Sequence, residues 1–286
     1  MQTIKRGDAG RTEPIAALPA EQARKLSCKT GRAFRRPLVD WKGSQRKAIL
    51  GSLAMTLALA PLFLRLPTTR GNAMPIAFAP TRKHRTYTTR FRRAENPISE
   101  GGAWINGQAV GLDWANVRTK PGLAFGTEAG TIKYDGTTAL LKGVWGPDQT
   151  AEATVHTVNQ REDIFEEVEL RLRSSLSAHK ATGYEILFRC SKTDKAYTQI
   201  VRWNGPLGDF TYLNAAGNAQ RGVGNGDVVR ATIVGKVITA YINGEKVLQA
   251  TDDTYTGGSP GMGFYLEGAT GMNSDYGFTR FTASDL

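Results

Sequence analysis

Residues Asp227–Ala250 read DVVRATIVGKVITAYINGEKVLQA and hold three short β-rich runs. Gly235 separates the first run from VITAYI, and Asn243-Gly244 separates VITAYI from EKVLQA. Asn-Gly suits a two-residue type I′ turn, because both central residues of that turn need a positive φ. The pattern therefore predicts an antiparallel hairpin over Val237–Ala250, entered from a further strand.

Similar alternating runs recur through the last two thirds of the chain. The clearest is Ile164–Arg173, in which Val168, Leu170 and Leu172 share one face. No helical stripe of three or more turns appears over residues 94–286, so we predict an all-β fold there, an antiparallel jelly-roll β-sandwich. Further strands are expected at Thr138–Gly143, Thr150–Val158, Tyr184–Cys190, Ala196–Trp203, Asp209–Leu213, Asp227–Val234, Gly261–Glu267 and Asp275–Ala283.

The formal net charge of +11 is unevenly distributed. The first 79 residues hold 14 Lys and Arg against 4 Asp and Glu, and residues 80–93 add six basic residues and no acid. From Ala94 onward 17 basic residues face 22 acids. Nucleic-acid binding needs a basic surface that neutralises phosphates, so we expect the sandwich to have no nucleic-acid partner.

An export-like signal lies near the N-terminus. Arg46-Lys47 precedes an apolar run over residues 48–64, and Gly71-Asn72-Ala73 and Ala77-Phe78-Ala79 offer small-residue cleavage patterns. The run is short for a membrane span, which needs about 20 apolar residues, and Pro61 interrupts it. The pattern indicates a signal peptide and a secreted or periplasmic protein.

Two alternatives to cleavage stay open. The run can be retained as a membrane anchor, or translation can start at Met74, which would make the product cytoplasmic. We expect residues 1–79 to be a basic disordered segment with this signal or anchor. Residues 80–93 are expected to form a basic linker before the sandwich of residues 94–286. Membrane contact is expected only through an uncleaved N-terminal segment.

The cysteines offer neither a disulfide framework nor a metal motif. Cys28 lies in the N-terminal segment and Cys190 in a predicted strand. If the leader is removed, one thiol remains and no intramolecular disulfide is possible. Zinc-ligand spacing is also absent.

Several segments carry a family resemblance: ENPISEGGAW, GYEILFRC, AYTQIVRWNG, GDVVRATIVGKVITAYINGEKVL, and GMGFYLEG with DYGFTRFTA. Over about residues 95–286 they resemble the concanavalin-A-like lectin/glucanase superfamily. The resemblance implies two large antiparallel sheets, one of them concave, with a saccharide bound across it or at its rim. Because lectins, laminin-G-like modules, glucanases and lyases share this fold, the fold does not choose between these functions. Some relatives also hold a structural calcium ion.

Glucanase relatives carry their acids as E-x-D-x-x-E on one strand, and the nearest stretch, Glu162–Glu169, does not match that spacing. Glu167 and Glu169 share a face and are the weak candidates for the carboxyl pair of a retaining glycosidase, about 5–5.5 Å apart. Arg171 and Arg173 continue the same face. We therefore interpret the four charges as a solvated surface.

A polysaccharide lyase would need a base and a cation or amide that neutralises a uronate carboxylate. His156, Arg171, Arg189 and Gln199 are residue types that serve these roles, although the lyase motifs of the superfamily are absent. We interpret His156 as an ordinary half-exposed strand residue.

Sugar binding needs an aromatic face and a few fixed polar groups. Trp203 ends a predicted strand, and Trp145 lies in a loop-like stretch. The alternative is that these rings, like Trp104 and Trp114, pack in the core. The candidate ligand-binding residues are Trp203, Asn204, Arg189, Arg202, Asp209, Tyr212 and Trp145.

A structural calcium ion would use acidic and backbone oxygens, for which Asp252, Asp253 and Asp275 are candidates. No cofactor is required. The leading hypothesis is an exported, lectin-like domain that binds an oligo- or polysaccharide without catalysis. The alternatives are a glycoside hydrolase or polysaccharide lyase on the same fold, and an adhesive module that contacts protein.

Overall fold

The structure, a computed structural model, describes residues 84–128, 136–214, 219–268 and 272–286. Two antiparallel sheets stack over these residues, which confirms the predicted β-sandwich. Two short 3-10 turns, Gln108–Val110 and Asn273–Asp275, accompany the strands. The strands are β1 (Thr86–Thr89), β2 (Trp104–Asn106), β3 (Arg118–Lys120), β4 (Leu123–Phe125), β5 (Thr137–Leu141), β6 (Gln149–Thr157), β7 (Phe165–Ser177), β8 (Lys180–Arg189), β9 (Thr198–Gly205), β10 (Phe210–Tyr212), β11 (Val228–Val234), β12 (Val237–Ile242), β13 (Glu245–Thr251), β14 (Ser259–Glu267) and β15 (Tyr276–Asp285).

The strand order places the longest strands at the centre of each layer. Sheet A has the order β13-β12-β11-β6-β15-β4-β3, and β1 also pairs with β15. Sheet B has the order β10-β9-β8-β7-β14-β5-β2. All pairs of named strands are antiparallel. Each sheet packs against the other through one of its two faces.

The predicted hairpin is confirmed as β12 and β13. Asn243 and Gly244 have φ values of 53° and 81°, the positive pair that a type I′ turn requires. The side-chain Oδ1 of Asn243 also accepts a 2.8 Å hydrogen bond from the backbone N–H of Val228. This contact ties the turn to the start of β11.

Period-two alternation builds the core between the sheets. Val168, Leu170 and Leu172 of β7 are fully buried, as predicted. They share one apolar cluster with residues of sheet A, including Val155 and Phe281. Burial of these inward faces is the main favourable term in folding, and it leaves the outward residues of β7 on the opposite side of sheet B.

A bulge interrupts this alternation at Arg173, whose φ is 44°. The guanidinium of Arg173 donates to the carbonyl oxygens of Pro147, Gly235 and Tyr255 at 2.5, 2.7 and 3.1 Å. These carbonyls lie in loops next to strands of sheet A. The prediction that Arg173 continues the outward face of Arg171 is therefore wrong, because a bulge changes the side on which later residues emerge.

Part of the predicted linker belongs to the sandwich. Thr86–Thr89 forms β1 and pairs with β15 from Thr86↔Ser284 to Thr89↔Phe281. Phe91 is fully buried in the main core. Threonine and tyrosine favour strands. The basic residues around them led instead to the prediction of a linker over this stretch.

The predicted disordered segment, signal or anchor, cleavage patterns and Cys28 lie outside the described residues. Within residues 84–128, 136–214, 219–268 and 272–286, no helix has the length and apolar character to cross a membrane. Cys190 is buried as a free thiol.

Candidate functional site

A cleft opens on the face of sheet B that points away from sheet A. It encloses about 230 Å³ and lies across β7, β8 and β9, with β10 along one side and β14 along the other. Residues two apart in a strand share a face. The cleft therefore collects the outward residues of the strands whose inward residues form the core.

Two indole rings form the apolar end of the cleft. Trp203 of β9 and Trp114, from the loop between β2 and β3, have ring centroids 4.4 Å apart. With Leu187 and Val201 they belong to a second apolar cluster, separate from the main core. Both rings are buried, as the packing alternative predicted, and both also line the cleft.

Arg171 of β7 lies between two carboxylates on the cleft floor. Its Nη2 is 2.9 Å from Oε2 of Glu169 and also contacts Oε2 of Glu185, which the strand register places opposite Arg171. The indole Nε1–H of Trp203 donates a 2.8 Å hydrogen bond to Glu185. Burial, and then the nearby charge of Glu185, raise the pKa of Glu169 well above its ordinary value, although Arg171 opposes the rise.

Glu167 is the third carboxyl of the floor. The hydroxyl of Tyr197 donates a hydrogen bond to its Oε1. Burial raises the pKa of Glu167 to about 7, Glu185 adds to the rise, and the Tyr197 hydrogen bond opposes it. This carboxyl therefore holds a proton for part of the time near neutral pH, as a general acid must.

The absence of a side chain at Gly263 leaves space for the carboxyl of Glu169. A Cβ atom on Gly263 of β14 would lie 2.2 Å from Oε2 of Glu169, and one on Gly136 would lie 3.8 Å from its Oε1. The carboxylate thus occupies the position that a side chain of β14 would otherwise fill. Glycine within a strand often marks such a close approach.

Aromatic rings form both rims. On one side Phe210 packs against Trp203 and Tyr212, with centroids 5.1 and 5.3 Å apart, and Tyr212 is 55% exposed. On the other side the hydroxyl of Tyr265 donates a 2.7 Å hydrogen bond to Glu267. A ligand in the cleft would meet carboxyl groups below it and ring surfaces beside it.

The interpretation of the outward charges of β7 as a solvated surface is wrong. Glu167, Glu169 and Arg171 are 8%, 4% and 3% exposed. The loop that carries Trp114 and the aromatic rims shield these groups, and Arg171 offsets part of the negative charge. Buried charges need such partners, so these residues form a shielded cluster and not an open charged face.

The structure brings together only part of the predicted binding set. Trp203 and Tyr212 line the cleft. Arg202 and Asn204 flank Trp203 in β9, so alternation directs them to the opposite face. Asn204 donates a 3.0 Å hydrogen bond to Asp209 in the turn between β9 and β10, and this turn does not join the cleft lining.

Arg189 and Trp145 hold other positions. The Arg189 guanidinium donates to the backbone carbonyls of Glu162 and Lys195 at 2.9 and 3.3 Å. Trp145 is buried in the main core, with the guanidinium of Arg85 over its ring at 4.4 Å. Neither side chain belongs to the lining of the cleft.

The residue types considered for a lyase are divided between the two sheets. Arg171 and Gln199 line the cleft, whereas His156 lies on β6 of sheet A. The charge of Arg171 is already shared by Glu169 and Glu185. Among the described residues, the cleft therefore leaves the amide of Gln199, and not a cation, for a uronate carboxylate.

The described part of the chain contains no group of three or more His, Cys, Asp or Glu side chains placed to hold a metal ion. Oδ1 of Asp252 accepts a 2.7 Å hydrogen bond from Tyr184, and Oδ2 pairs with Arg202 at 2.6 Å. These donors occupy the oxygens that calcium would need. Asp253 is exposed, and Asp275 lies in the short turn before β15.

The cleft also contains residues that the sequence does not single out as site candidates, among them Glu185 and Tyr197. Alternation alone indicates that Glu185 points outward from β8. Its place beside Arg171 depends on the register between β7 and β8, which the pattern of one strand does not contain.

No protein-family model and no curated protein sequence matches this chain. Among solved structures, it is similar to the carbohydrate binding module CBM66 from Bacillus subtilis, with 13% identity, a TM-score of 0.43, and coverage of 60% of this chain and 96% of that one. It is similar to the VIP36 exoplasmic/lumenal domain in its Ca²⁺/Man-bound form, with 11% identity, a TM-score of 0.45, and coverage of 70% and 92%. It is also similar to a GlcNAcα1-4Gal-releasing endo-β-galactosidase from Clostridium perfringens, with 10% identity, a TM-score of 0.45, and coverage of 72% and 64%. The likeness concerns the fold alone, at the level of the concanavalin-A-like resemblance found in the sequence.

Proposed function

We propose that the protein binds an oligo- or polysaccharide in the cleft of sheet B. The observation that supports this most is the exposed Tyr212 ring and the Phe210 ring beside a floor of buried carboxyl groups. A pyranose offers an apolar ring face for the aromatic side chains and hydroxyl groups for the carboxyls.

The size of the cleft suits a short part of such a chain. The enclosed volume of about 230 Å³ is below the ~300–1,000 Å³ of pockets that hold drug-sized ligands. One sugar unit would fill the enclosed part, and its neighbours in the chain would lie over Tyr212 and Tyr265 at the two rims.

A glycan array followed by calorimetric titration tests this proposal. Tyr212→Ala should weaken binding about 2- to 10-fold, because an aromatic contact contributes roughly 0.5–1.5 kcal/mol beyond its buried area. Tyr241→Ala is the matched control, since Tyr241 lies on sheet A beneath Arg230. The proposal fails if no glycan binds, or if the two variants lose the same affinity.

A second candidate function, glycoside hydrolysis, is favoured by the pKa of Glu167, which burial raises to about 7. A protonated carboxyl beside a second carboxyl is what the cleavage of a glycosidic bond requires. Release of reducing ends that Glu167→Gln abolishes would support hydrolysis. A bound polymer that stays intact would leave binding as the function.

We also propose that binding takes place outside the cytoplasm, on the basis of Arg46-Lys47 and the apolar run over residues 48–64. Mass spectrometry of the mature N-terminus, with cell fractionation, tests this. A product that starts at Met1 or Met74 and stays in the cytoplasm would contradict it.

A further inference from the structure

We propose that the sugar unit in the enclosed part of the cleft is a hexosamine with a free ammonium group. This inference rests on the proposed function, namely that the cleft binds a saccharide. It identifies the class of ligand as a glycan of unacetylated amino sugars.

The first argument is the balance of charged groups on the floor. Besides Glu267 at the rim, three carboxyls, Glu167, Glu169 and Glu185, line the floor of the cleft with one guanidinium, that of Arg171. Arg171 contacts two of them, and the third accepts a hydrogen bond from the neutral hydroxyl of Tyr197. Carboxyls therefore outnumber cations, and one further cation at this position would have a carboxylate to pair with.

The second argument is that burial disfavours the ionised forms of the carboxyls on the floor. Burial raises the pKa of Glu167 to about 7 and that of Glu169 well above its ordinary value. An ammonium group nearby would favour the ionised forms and lower both pKa values. A uronate or a sulfated sugar would instead place a like charge against Glu185, and a neutral sugar would supply no charge.

The third argument concerns two buried donors. Nε of Arg171 and Nε1 of Trp114 have no hydrogen-bond partner, although Arg171 and Trp114 are only 3% and 1% exposed and both line the cleft. Buried donors without acceptors are rare in folded proteins. Both nitrogen atoms have almost no accessible surface, so a sugar hydroxyl oxygen would accept from them only if the indole or the guanidinium turned towards the cleft. A ligand that combines one cation with several hydroxyls would then satisfy both donors.

Charged and titratable groups from several strands and loops determine how such binding depends on pH. Glu169 lies on β7 and faces β8 and β14, and Gly263 is its near neighbour on β14. The charged and titratable groups around Glu169 and Glu167 are Arg171 from β7, Glu185 and Arg189 from β8, Glu267 from β14, Tyr197 before β9 and Glu128 after β4.

The test is calorimetric titration of the full chain with four tetrasaccharides of one linkage, made of glucosamine, N-acetylglucosamine, glucose or a uronate. Titrations at about pH 5.5 keep the amine charged, since that is more than two pH units below the ~7.7–8.0 of an α-amino group. Two buffers with different ionisation enthalpies report the protons exchanged. We expect glucosamine to bind at least about 10-fold more tightly than the others, with release of about one proton, because the ammonium lowers the carboxyl pKa values.

A variant separates charge from shape. Glu169→Gln keeps the size of the side chain and should reduce both the glucosamine-to-glucose affinity ratio and the proton release. The wild-type proton count does not depend on whether this variant folds. Equal or tighter binding of glucose or N-acetylglucosamine would overturn the inference and leave the proposed function standing, as would a glucosamine preference without proton release. Failure of all saccharides, including those on the array, would overturn both.

Discussion

Glu166, on the inward face of β7, carries a buried carboxyl whose effect on stability can be worked out. It is 2% exposed, and neither of its oxygens has a hydrogen-bond partner. Burial, and then the charge of Asp275, raise its pKa from 4.5 to about 8. Because the folded protein holds this proton more tightly than the unfolded chain, ionisation of Glu166 opposes folding.

The sign and size of the effect follow from proton linkage. Below the unfolded pKa of 4.5 both states are protonated and Glu166 causes no loss. As the pH rises towards about 8, the unfolded chain ionises first, and stability falls by up to ~1.36 kcal/mol per pH unit. The total approaches about 5 kcal/mol once the folded state has also ionised.

Glu166→Gln removes this ionisation, so its stability relative to the wild type should rise with pH. Between about pH 5 and about pH 9 the difference in free energy of unfolding should shift by about 4 kcal/mol in favour of the variant. Denaturant titrations at both pH values measure it, with Glu162→Gln in the exposed loop before β7 as the control. A difference that does not change with pH, or one shared by Glu162→Gln, would refute this account of Glu166.

Three further changes test the cleft and its supporting hairpin, each followed by denaturant titration. Gly263→Ala should cost about 1–3 kcal/mol and weaken saccharide binding, because its Cβ would lie 2.2 Å from Oε2 of Glu169. Trp203→Phe should cost about 1–3 kcal/mol, since it removes the hydrogen bond to the buried carboxylate of Glu185. Asn243→Ala should cost about 1–2 kcal/mol, because alanine is strained at a φ of 53°. Unchanged stability in any of the three would contradict the contact assigned to that residue.

The sequence predicts a strand well where its turn residues and its alternation of apolar and polar residues match its position in the sandwich. The Asn243-Gly244 turn and the burial of Leu170 follow from turn chemistry and period-two alternation. β1 could not be found in this way, because Thr86–Thr89 is four residues long and gains its place by pairing with β15 almost 200 residues later. Such non-local pairing leaves little trace in a short run.

The sequence indicates some of the residues that line the cleft, but not their arrangement. Alternation places Glu167 and Glu169 on one face, and Trp203 was a candidate because a large aromatic ends its strand. The arrangement of the cleft floor depends on the register of β7 against β8, which places Glu185 opposite Arg171. A loop distant in sequence then covers the charges, so a pattern typical of a solvated face becomes a buried cluster.

A crystal structure of the protein soaked with the glycan that binds best tests the central proposal most directly. Density for a sugar unit between the ring of Tyr212 and the carboxyl of Glu169, within hydrogen-bond distance of Arg171 or Trp114, is the predicted result. A sugar held on sheet A or at the edge of the sandwich, with the cleft of sheet B empty, would contradict it.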